Sequence, residues 1–227
     1  TLAITPEGLP LGLLTQKKST RLEVKRLTTS ERKRLPIEEK ESYRWIESLE
    51  ETVLHTSGAK QVVTICDREG DIYDFFEAAE RLKTHYLVIV LTNRTVLHDE
   101  NSKSLEQAVA SCESDGQLEV HIPAREGQKG RTAKVEVRHT EVKLKAPKSR
   151  NFNSGFLAYA VLVTEVNPPS GVVPLHWLLL TNVSVSSFED AIERIRWYRV
   201  RWHIEIYHKV LKSGCRVEDC RLEYIDR

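Results

Sequence analysis

The stretch QVVTICDREGDIYDFFEAAERLKTHYLVIVL, residues 61–91, decides the fold of this chain. It opens with the apolar run QVVTIC (61–66), is broken by DREGD (67–71), continues as IYDFFEAAERLK (72–83) and ends in a second apolar run, YLVIVL (86–91). Short continuous apolar runs are typical of strands buried on both faces. A strand, a helix and a second strand with short connections form a βαβ unit, which builds parallel sheets. The sequence therefore predicts an α/β fold.

The segments upstream of this unit predict a hairpin and a helix. LAIT and PLGLLTQK flank the turn-rich residues PEGLP, which is a hairpin pattern. Pro36 then opens IEEKESYRWIESLEETVLH, in which apolar residues recur near one face, as in a helix.

The pattern changes at about residue 116. Four alternating runs, separated by turns such as EGQKG and NPPSG, predict an antiparallel β insertion: QLEVHIP, TAKVEVRHTEVKL, FLAYAVLVTEV and PLHWLLLTNV. A long helix is predicted from Ser186, because Ser186 and Glu189 match a capping box. The predicted organisation is an α/β core over 1–115, the insertion over 116–183 and a C-terminal helical part of the core over 184–227.

The composition is that of an ordinary globular protein, with 40% hydrophobic and 30% charged residues. No apolar run approaches the length that spans a bilayer, and no signal-peptide pattern opens the chain. The four cysteines lack disulfide-framework spacing, which favours the reducing cytoplasm. The chain has no methionine and starts at Thr1 inside a strand-like run, so we expect a fragment of a longer protein.

The net charge is only +1, but basic residues are concentrated in three stretches, 17–34, 125–150 and 194–212. The third carries six lysines or arginines against a single acid, Glu205. Such runs are usually solvated faces. Three of them in one chain favour a polyanionic partner.

Two carboxylates are candidates for chemistry. Asp67 directly follows the apolar run 61–66, and functional sites of open α/β sheets lie at the carboxyl ends of strands. An aspartate here is equally typical of a turn that starts a helix. Glu205 shares a stripe roughly 60° wide with Tyr198, Arg201 and Lys212 if residues 194–212 form one α-helix. An Arg201–Glu205 ion pair explains part of that stripe; a carboxylate that binds a metal ion beside phosphates explains all of it.

The spacing Tyr198-x2-Arg201-x3-Glu205-x6-Lys212 resembles the Tyr-Arg-Glu-Lys signature of one branch of bacterial insertion-sequence transposases. These belong to the DDE group, whose catalytic core has an RNase H-like fold. TPEGLPLGLLTQK, EEKESYRW, ICDREGDIYDFF, HWLLLTNV and RWHIEIYHKVLKSGCR also resemble that family's recurrent segments, in the family's order.

The resemblance implies that Asp67 is the second catalytic aspartate and Glu205 the catalytic glutamate. Both would ligate Mg²⁺, for which Mn²⁺ substitutes. Tyr198, Arg201 and Lys212 would contact DNA phosphates near the cleaved end.

The resemblance also gives Trp177, in HWLLLT, the role of stabilising a flipped base at the transposon end. A core tryptophan is the alternative for this residue. Members of the branch tend to carry basic residues at the positions of Ile89 and near Leu91, and Arg94 would serve in part here.

One departure concerns the first catalytic aspartate, which the family places on a central strand before the hairpin. Residues 1–66 contain glutamates but no aspartate. We therefore expect an RNase H-like mixed sheet with flanking helices that lacks its first, central strand, and a fragment that is inactive by itself.

The function implied is hydrolysis of double-stranded DNA at transposon ends, followed by transfer of the 3′-OH to target DNA. The family works as a DNA-bound homodimer, here in the bacterial cytoplasm at the nucleoid. Two alternatives remain open: an RNase H-like nuclease without strand transfer, and a non-catalytic DNA-binding remnant of a decayed element.

Overall fold

The structure is a computed structural model, and it describes residues 1–17, 28, 31, 34–98, 101–124, 129–147 and 155–216. Most of the predicted basic stretch 17–34 lies outside these residues, as do Cys220 and most of the first predicted insertion turn. The chain divides into two compact units. One comprises residues 1–60 and 196–227, and the other comprises residues 61–195.

The first unit contains the predicted hairpin and helix. Strands β1 (Leu2–Ile4) and β2 (Pro10–Leu13) pair antiparallel and form a two-stranded sheet of their own. Helix α1 covers Tyr43–His55, and a separate 3₁₀ turn covers Ile37–Glu39. The prediction of one helix from Pro36 was wrong, because Lys40 has an extended backbone (φ −90°, ψ 144°) that ends the turn.

The second unit opens with the predicted βαβ unit: β3 (Val63–Cys66), α2 (Tyr73–Arg81) and β4 (His85–Ile89). β3 and β4 are parallel, as predicted. Burial on both faces holds for β4 but was wrong for β3, where only Cys66 is buried. The reason is position, because among the described strands β3 pairs with β4 alone and stands at the sheet edge.

Two phenylalanines of α2 fasten this helix to the sheet. Phe75, Phe76 and Tyr86 are fully buried. The Phe76 and Tyr86 ring centroids lie 4.8 Å apart, and those of Phe75 and Tyr86 lie 6.2 Å apart. Aromatic contacts of this kind add to the large apolar area that each ring removes from water, and so they hold α2 against β4.

The remaining strands are β5 (Thr95–His98), β6 (Asn101–Ser104), β7 (Gly116–Ile122), β8 (Arg131–Leu144), β9 (Phe156–Glu165) and β10 (His176–Thr181). The sheet order is β3-β4-β10-β9-β8-β5-β6, and β7 also pairs with β8. Among the described strands, every pairing except β3–β4 is antiparallel. The four predicted insertion strands are confirmed as elements, and β10 joins them directly to β4. The result is a mixed, mostly antiparallel α/β sheet, which is compatible with an RNase H-like domain.

The β5–β6 pair and helix α3 (Leu105–Ala110) were not predicted. α3 begins with a capping box in which Ser104 accepts a hydrogen bond from the Gln107 backbone, while the Gln107 side chain accepts from the Ser104 backbone. The spacing Ser104-x-x-Gln107 was therefore an available signal.

The C-terminal helix is interrupted. Helix α4 covers Phe188–Val200, α5 covers Trp202–Lys209, and a π-helical turn covers Val210–Gly214. At the break, the Arg201 N–H bonds the Tyr198 carbonyl three residues back (3.1 Å), and Ile204 bonds Arg201 in the same way (3.1 Å). The prediction of a single regular helix was therefore wrong.

The predicted cap of this helix is displaced by one residue. The Asp190 N–H donates to the Ser187 hydroxyl (3.1 Å), and the Ser186 N–H donates to the Asp190 carboxylate (2.9 Å). Ser187 therefore takes the N-cap role predicted for Ser186, and Asp190, not Glu189, supplies the carboxylate that accepts a backbone N–H ahead of the helix. The predicted capping pair was wrong because α4 starts at Phe188.

Gly116 makes a close approach that predicts a stability effect. A Cβ added at Gly116 would lie 2.8 Å from two atoms of the Phe188 ring, and the glycine φ is +158°. We expect Gly116→Ala to lower the free energy of unfolding by about 1–3 kcal/mol through overpacking, measured by urea denaturation. In a Phe188→Leu background, Gly116→Ala should lower the free energy of unfolding by less, because the ring that the new Cβ would overlap is gone. An unchanged unfolding midpoint in Gly116→Ala would contradict the contact.

Candidate active site at the carboxyl edge of the parallel strands

Asp67 lies at the carboxyl end of β3, as predicted, and its side chain also shapes the turn that follows. It caps the 3₁₀ turn Arg68–Gly70, and its Oδ1 accepts a hydrogen bond from the Glu69 N–H at 2.8 Å. The residue is half-buried. The two interpretations of Asp67, turn residue and site residue, are therefore compatible, because the turn bond fixes the direction of the carboxylate.

The start of β10 lies at the same edge of the sheet. Leu179 pairs with Ile89, and the Val90 N–H donates to the Leu178 carbonyl at 2.8 Å. Trp177, at the start of β10, is thereby brought from far along the sequence to the end of the strand next to β3. Its side chain is half-buried, and its backbone pairs with Val163 of β9.

A cavity of about 250 Å³ opens at this edge. Its floor contains two buried side chains, Ile89 and Leu178. Its polar wall contains Arg68, Asn93, Glu106 and His176, and the last two form a pair at 3.0 Å. Pockets for small molecules are usually larger than this, so we interpret the cavity as a recess beside the Asp67 turn. Ile89, at the position where the branch that the chain resembles tends to carry a basic residue, is buried.

Asp71, which sequence reasoning missed, ties two loops at this edge together. Its carboxylate accepts hydrogen bonds from the backbone N–H groups of Leu91 (2.8 Å) and Thr92 (2.7 Å), and it forms an ion pair with Arg94. Arg94 was predicted to contact DNA in part. Its side chain is 14% exposed and is engaged with Asp71, so the geometry favours a structural role and the DNA contact stays a prediction.

Three of the predicted site residues form a cluster in the first unit. Arg201 lies between the other two: its Nη1 is 3.2 Å from Glu205 Oε1, and its guanidinium carbon is 5.9 Å from the centre of the Tyr198 ring. The Glu205 side chain is 46% exposed, whereas Tyr198 is only 9% exposed. Lys212 is exposed and lies in the π-helical turn.

Arg194, the first residue of the basic stretch 194–212, is placed differently. It is 5% exposed, and its guanidinium donates to the Ser184 carbonyl at 3.0 Å and pairs with Glu193. Arg194 therefore anchors α4 and adds no cation to the exposed surface. The helix break at Arg201 and the wider π turn also shift the angular positions on which the 60° stripe was based.

The two predicted metal ligands are suitable in kind, because carboxylate oxygens are the donors that Mg²⁺ prefers. Glu205 is exposed enough to reach an ion, and Asp67 is partly so. Asp67 and Glu205 belong to different units. Within the part of the chain that the structure describes, no group of three or more His, Cys, Asp or Glu side chains could hold a metal ion. The metal-ligand roles of Asp67 and Glu205 therefore stay a prediction.

Cys66, directly before Asp67, should be chemically inert in the folded protein. It is 1% exposed, and burial, with a smaller contribution from Asp67, raises the pKa of its thiol. Thiolates are the reactive form of cysteine. We expect iodoacetamide to label exposed Cys215 quickly and Cys66 only as fast as the protein unfolds, as measured by peptide mass spectrometry. Equal labelling rates at the two sites would show that the end of β3 is open.

No helix within the described ranges is long and apolar enough to cross a membrane. The chain matches the family model described as "Transposase DDE domain" over residues 18–227. That span contains the Asp67 turn, the β10 edge and the Tyr198–Arg201–Glu205 cluster. The chain therefore belongs to the DDE transposase family.

Proposed function

We propose that this chain carries two of the three catalytic carboxylates of a DNA transposase, Asp67 and Glu205. Transposases act on DNA, and DDE transposases generally use divalent metals. The observation that carries the proposal is the place of Asp67, half-buried at the carboxyl end of the parallel strand pair, within a chain that belongs to this family. The proposed reaction is hydrolysis of a phosphodiester at a transposon end, followed by joining of the freed 3′-OH to target DNA.

Each residue has a proposed part in this reaction. Asp67 and Glu205 would hold Mg²⁺, or Mn²⁺ in its place. The bound metal supplies Lewis-acid activation of the attacking oxygen and stabilisation of the leaving one. Arg201, beside Glu205, would bind a DNA phosphate, and Tyr198 and Lys212 would do the same on either side of it along the chain. Trp177 would stack on a base unpaired at the transposon end.

A further catalytic aspartate and a dimeric assembly on DNA also belong to the proposed function. The family's site takes a further aspartate, and residues 1–66 contain none, so we propose that these 227 residues do not cleave DNA by themselves. We also propose that the active species is a homodimer on DNA. A non-catalytic DNA-binding remnant is the alternative that the buried Ile89, in place of a basic residue, favours.

The test is metal-dependent nicking of a duplex that bears the element's own end, by the complete product of the gene. We expect nicking in Mg²⁺, none in EDTA, and none with Asp67→Ala. Glu69→Ala is the matched control, because this exposed glutamate lies in the same turn and its backbone N–H, which bonds Asp67, is retained.

The outcomes separate the candidates. Nicking that survives Asp67→Ala rules out the proposed role of this carboxylate. Salt-dependent DNA binding without any nicking supports the remnant. Nicking without joining of the 3′ end to a second duplex supports a nuclease.

A further inference from the structure

Asp71 makes more contacts at the candidate site than its place in a surface turn requires. It is 6% exposed and ends the turn that begins at Asp67. One carboxylate oxygen, Oδ2, accepts both the Leu91 N–H (2.8 Å) and the Thr92 N–H (2.7 Å). The other oxygen, Oδ1, faces the Arg94 guanidinium, which also donates to the Asp71 backbone carbonyl at 3.2 Å. Asp71 thus binds the segment after β4 at three points.

Arg94 also contacts the aromatic core. Its guanidinium carbon lies 4.9 Å from the centre of the Phe76 ring. Phe76 belongs to α2 and packs on Tyr86 of β4. The ion pair is therefore part of the packing between helix and sheet, and Arg94 is not a surface cation that happens to lie near an acid.

Stability alone does not explain why a charged pair is buried here. Burial raises the pKa of Asp71 in spite of Arg94, and burial lowers the pKa of Arg94 in spite of Asp71. Taking two charges out of water generally costs about as much as their attraction returns, and apolar side chains of similar volume would serve the core as well. An apolar side chain could not accept the Leu91 and Thr92 N–H groups. What the carboxylate specifically adds is a fixed position for these backbone groups.

We propose that Asp71 is a positioning residue that ties the turn carrying Asp67 to residues 90–94, so that the two loops at the carboxyl edge of β3 and β4 are held as one. Asp67 and Asp71 are joined by a short turn in which the Gly70 N–H bonds the Asp67 carbonyl (3.1 Å) and the Asp71 N–H bonds the Arg68 carbonyl (3.3 Å). An anchor at Asp71 therefore limits the directions in which the Asp67 carboxylate can point. This inference rests on the proposed function, because it concerns how Asp67 is presented to a metal ion.

Three variants separate position from charge. Asp71→Ala removes every side-chain acceptor. Asp71→Asn keeps one oxygen for the Leu91 and Thr92 N–H groups but turns an NH₂ group, a donor, towards Arg94, which also has only donors. Asp71→Asn combined with Arg94→Gln restores an acceptor opposite that NH₂ group and leaves both side chains neutral.

The measurement is a titration of the ¹⁵N-labelled complete gene product with Mn²⁺, which broadens amide signals near the ion. In the unmodified protein we expect broadening at residues 68–70, and Asp67→Ala should remove it. Asp71→Ala and Asp71→Asn should each raise the Mn²⁺ concentration that gives half-maximal broadening at residues 68–70 by about tenfold. This is the lower end of what outer-sphere partners contribute to metal affinity. The double variant should regain most of the affinity, and the dispersion of the amide signals in the same spectra shows whether each variant is folded.

Each result decides between distinct claims. If Mn²⁺ broadens residues 68–70 equally in the unmodified protein, Asp71→Ala and Asp71→Asn, the positioning role is overturned and the proposed metal role of Asp67 stands. If Mn²⁺ does not broaden residues 68–70 of the unmodified protein, or broadens them equally in Asp67→Ala, the metal role of Asp67 and the positioning role of Asp71 are both overturned. If Asp71→Ala does not fold, Asp71→Asn against the double variant gives the answer: equal Mn²⁺ concentrations at half-maximal broadening overturn the inference, and recovery in the double variant supports it.

Discussion

Replacement of Glu205 by glutamine is expected to lower DNA nicking by the complete gene product roughly 10³-fold, the upper range for loss of one electrostatic group at a reacting centre. Glutamine keeps the length of the side chain and an oxygen that can accept the bond from Arg201, which is 3.2 Å long in this structure. The variant loses the negative charge that a Mg²⁺ ion requires. Initial rates on an end-bearing duplex, at fixed ionic strength and saturating Mg²⁺, measure the effect.

The competing explanation makes the opposite prediction. If Glu205 only closes an exposed ion pair with Arg201, the pair is worth at most about 1 kcal/mol, and Glu205→Gln would nick at the normal rate. Loss of this charge among six lysines and arginines should leave DNA affinity unchanged or slightly raised. Glu189→Gln, at an exposed position in the first turn of α4, is the matched control. A fall in nicking that simply follows a fall in DNA affinity would contradict the metal-ligand role.

The βαβ unit could be predicted from sequence because its signals are local. Each segment's own residue pattern predicts its element: a strand for the apolar runs at 61–66 and 86–91, and a helix for the amphipathic segment between them. The structure has a parallel strand pair joined by a helix, as these patterns predict. Where β3 stands in the sheet is a different matter. Its edge position among the described strands follows from pairings with distant strands, and so the prediction of burial on both faces was wrong for β3 and correct for β4.

The candidate site was predictable only where one residue carried the signal. Asp67 could be found because it follows an apolar run. Asp71 could not be distinguished from a solvated turn residue, because the partners that bury it, Leu91, Thr92 and Arg94, lie 20–23 residues away. In the C-terminal helix, the i,i+4 spacing of Arg201 and Glu205 correctly predicted their ion pair. The break at Arg201 rests on backbone hydrogen bonds, which leave no trace in the pattern of apolar residues.

Asp71→Ala is expected to lower the free energy of unfolding by about 3–5 kcal/mol, the usual effect of removing one partner from a buried ion pair. The variant leaves the Arg94 charge, 14% exposed, without its carboxylate and leaves two backbone N–H groups without their acceptor. Urea unfolding of the chain, followed by circular dichroism, measures the change. Glu41→Ala is the matched control, because it breaks an exposed pair with Arg44 and should cost well under about 1 kcal/mol.

Removal of both charges should be far less harmful than removal of one. We expect Asp71→Leu combined with Arg94→Met to be clearly more stable than Asp71→Ala, because no buried charge is left unpaired. This apolar double variant still leaves the Leu91 and Thr92 N–H groups unbonded, so it should remain somewhat below the unmodified chain. An apolar double variant as unstable as Asp71→Ala would show that the two N–H bonds, and not the charges, account for the loss.

The difference in stability between the unmodified chain and the apolar double variant should change with pH in a definite direction. Burial raises the pKa of Asp71 above its value in the unfolded chain. A carboxyl group shifted in this direction contributes stability that is fully present below its unfolded pKa, about 4, and that is lost as the pH rises through the folded pKa. The unmodified chain should therefore lose stability relative to the apolar double variant as the pH is raised from about 4 towards neutrality. An advantage of the unmodified chain that instead grows over this range would mean that Arg94 and the two N–H groups stabilise the carboxylate more than burial destabilises it.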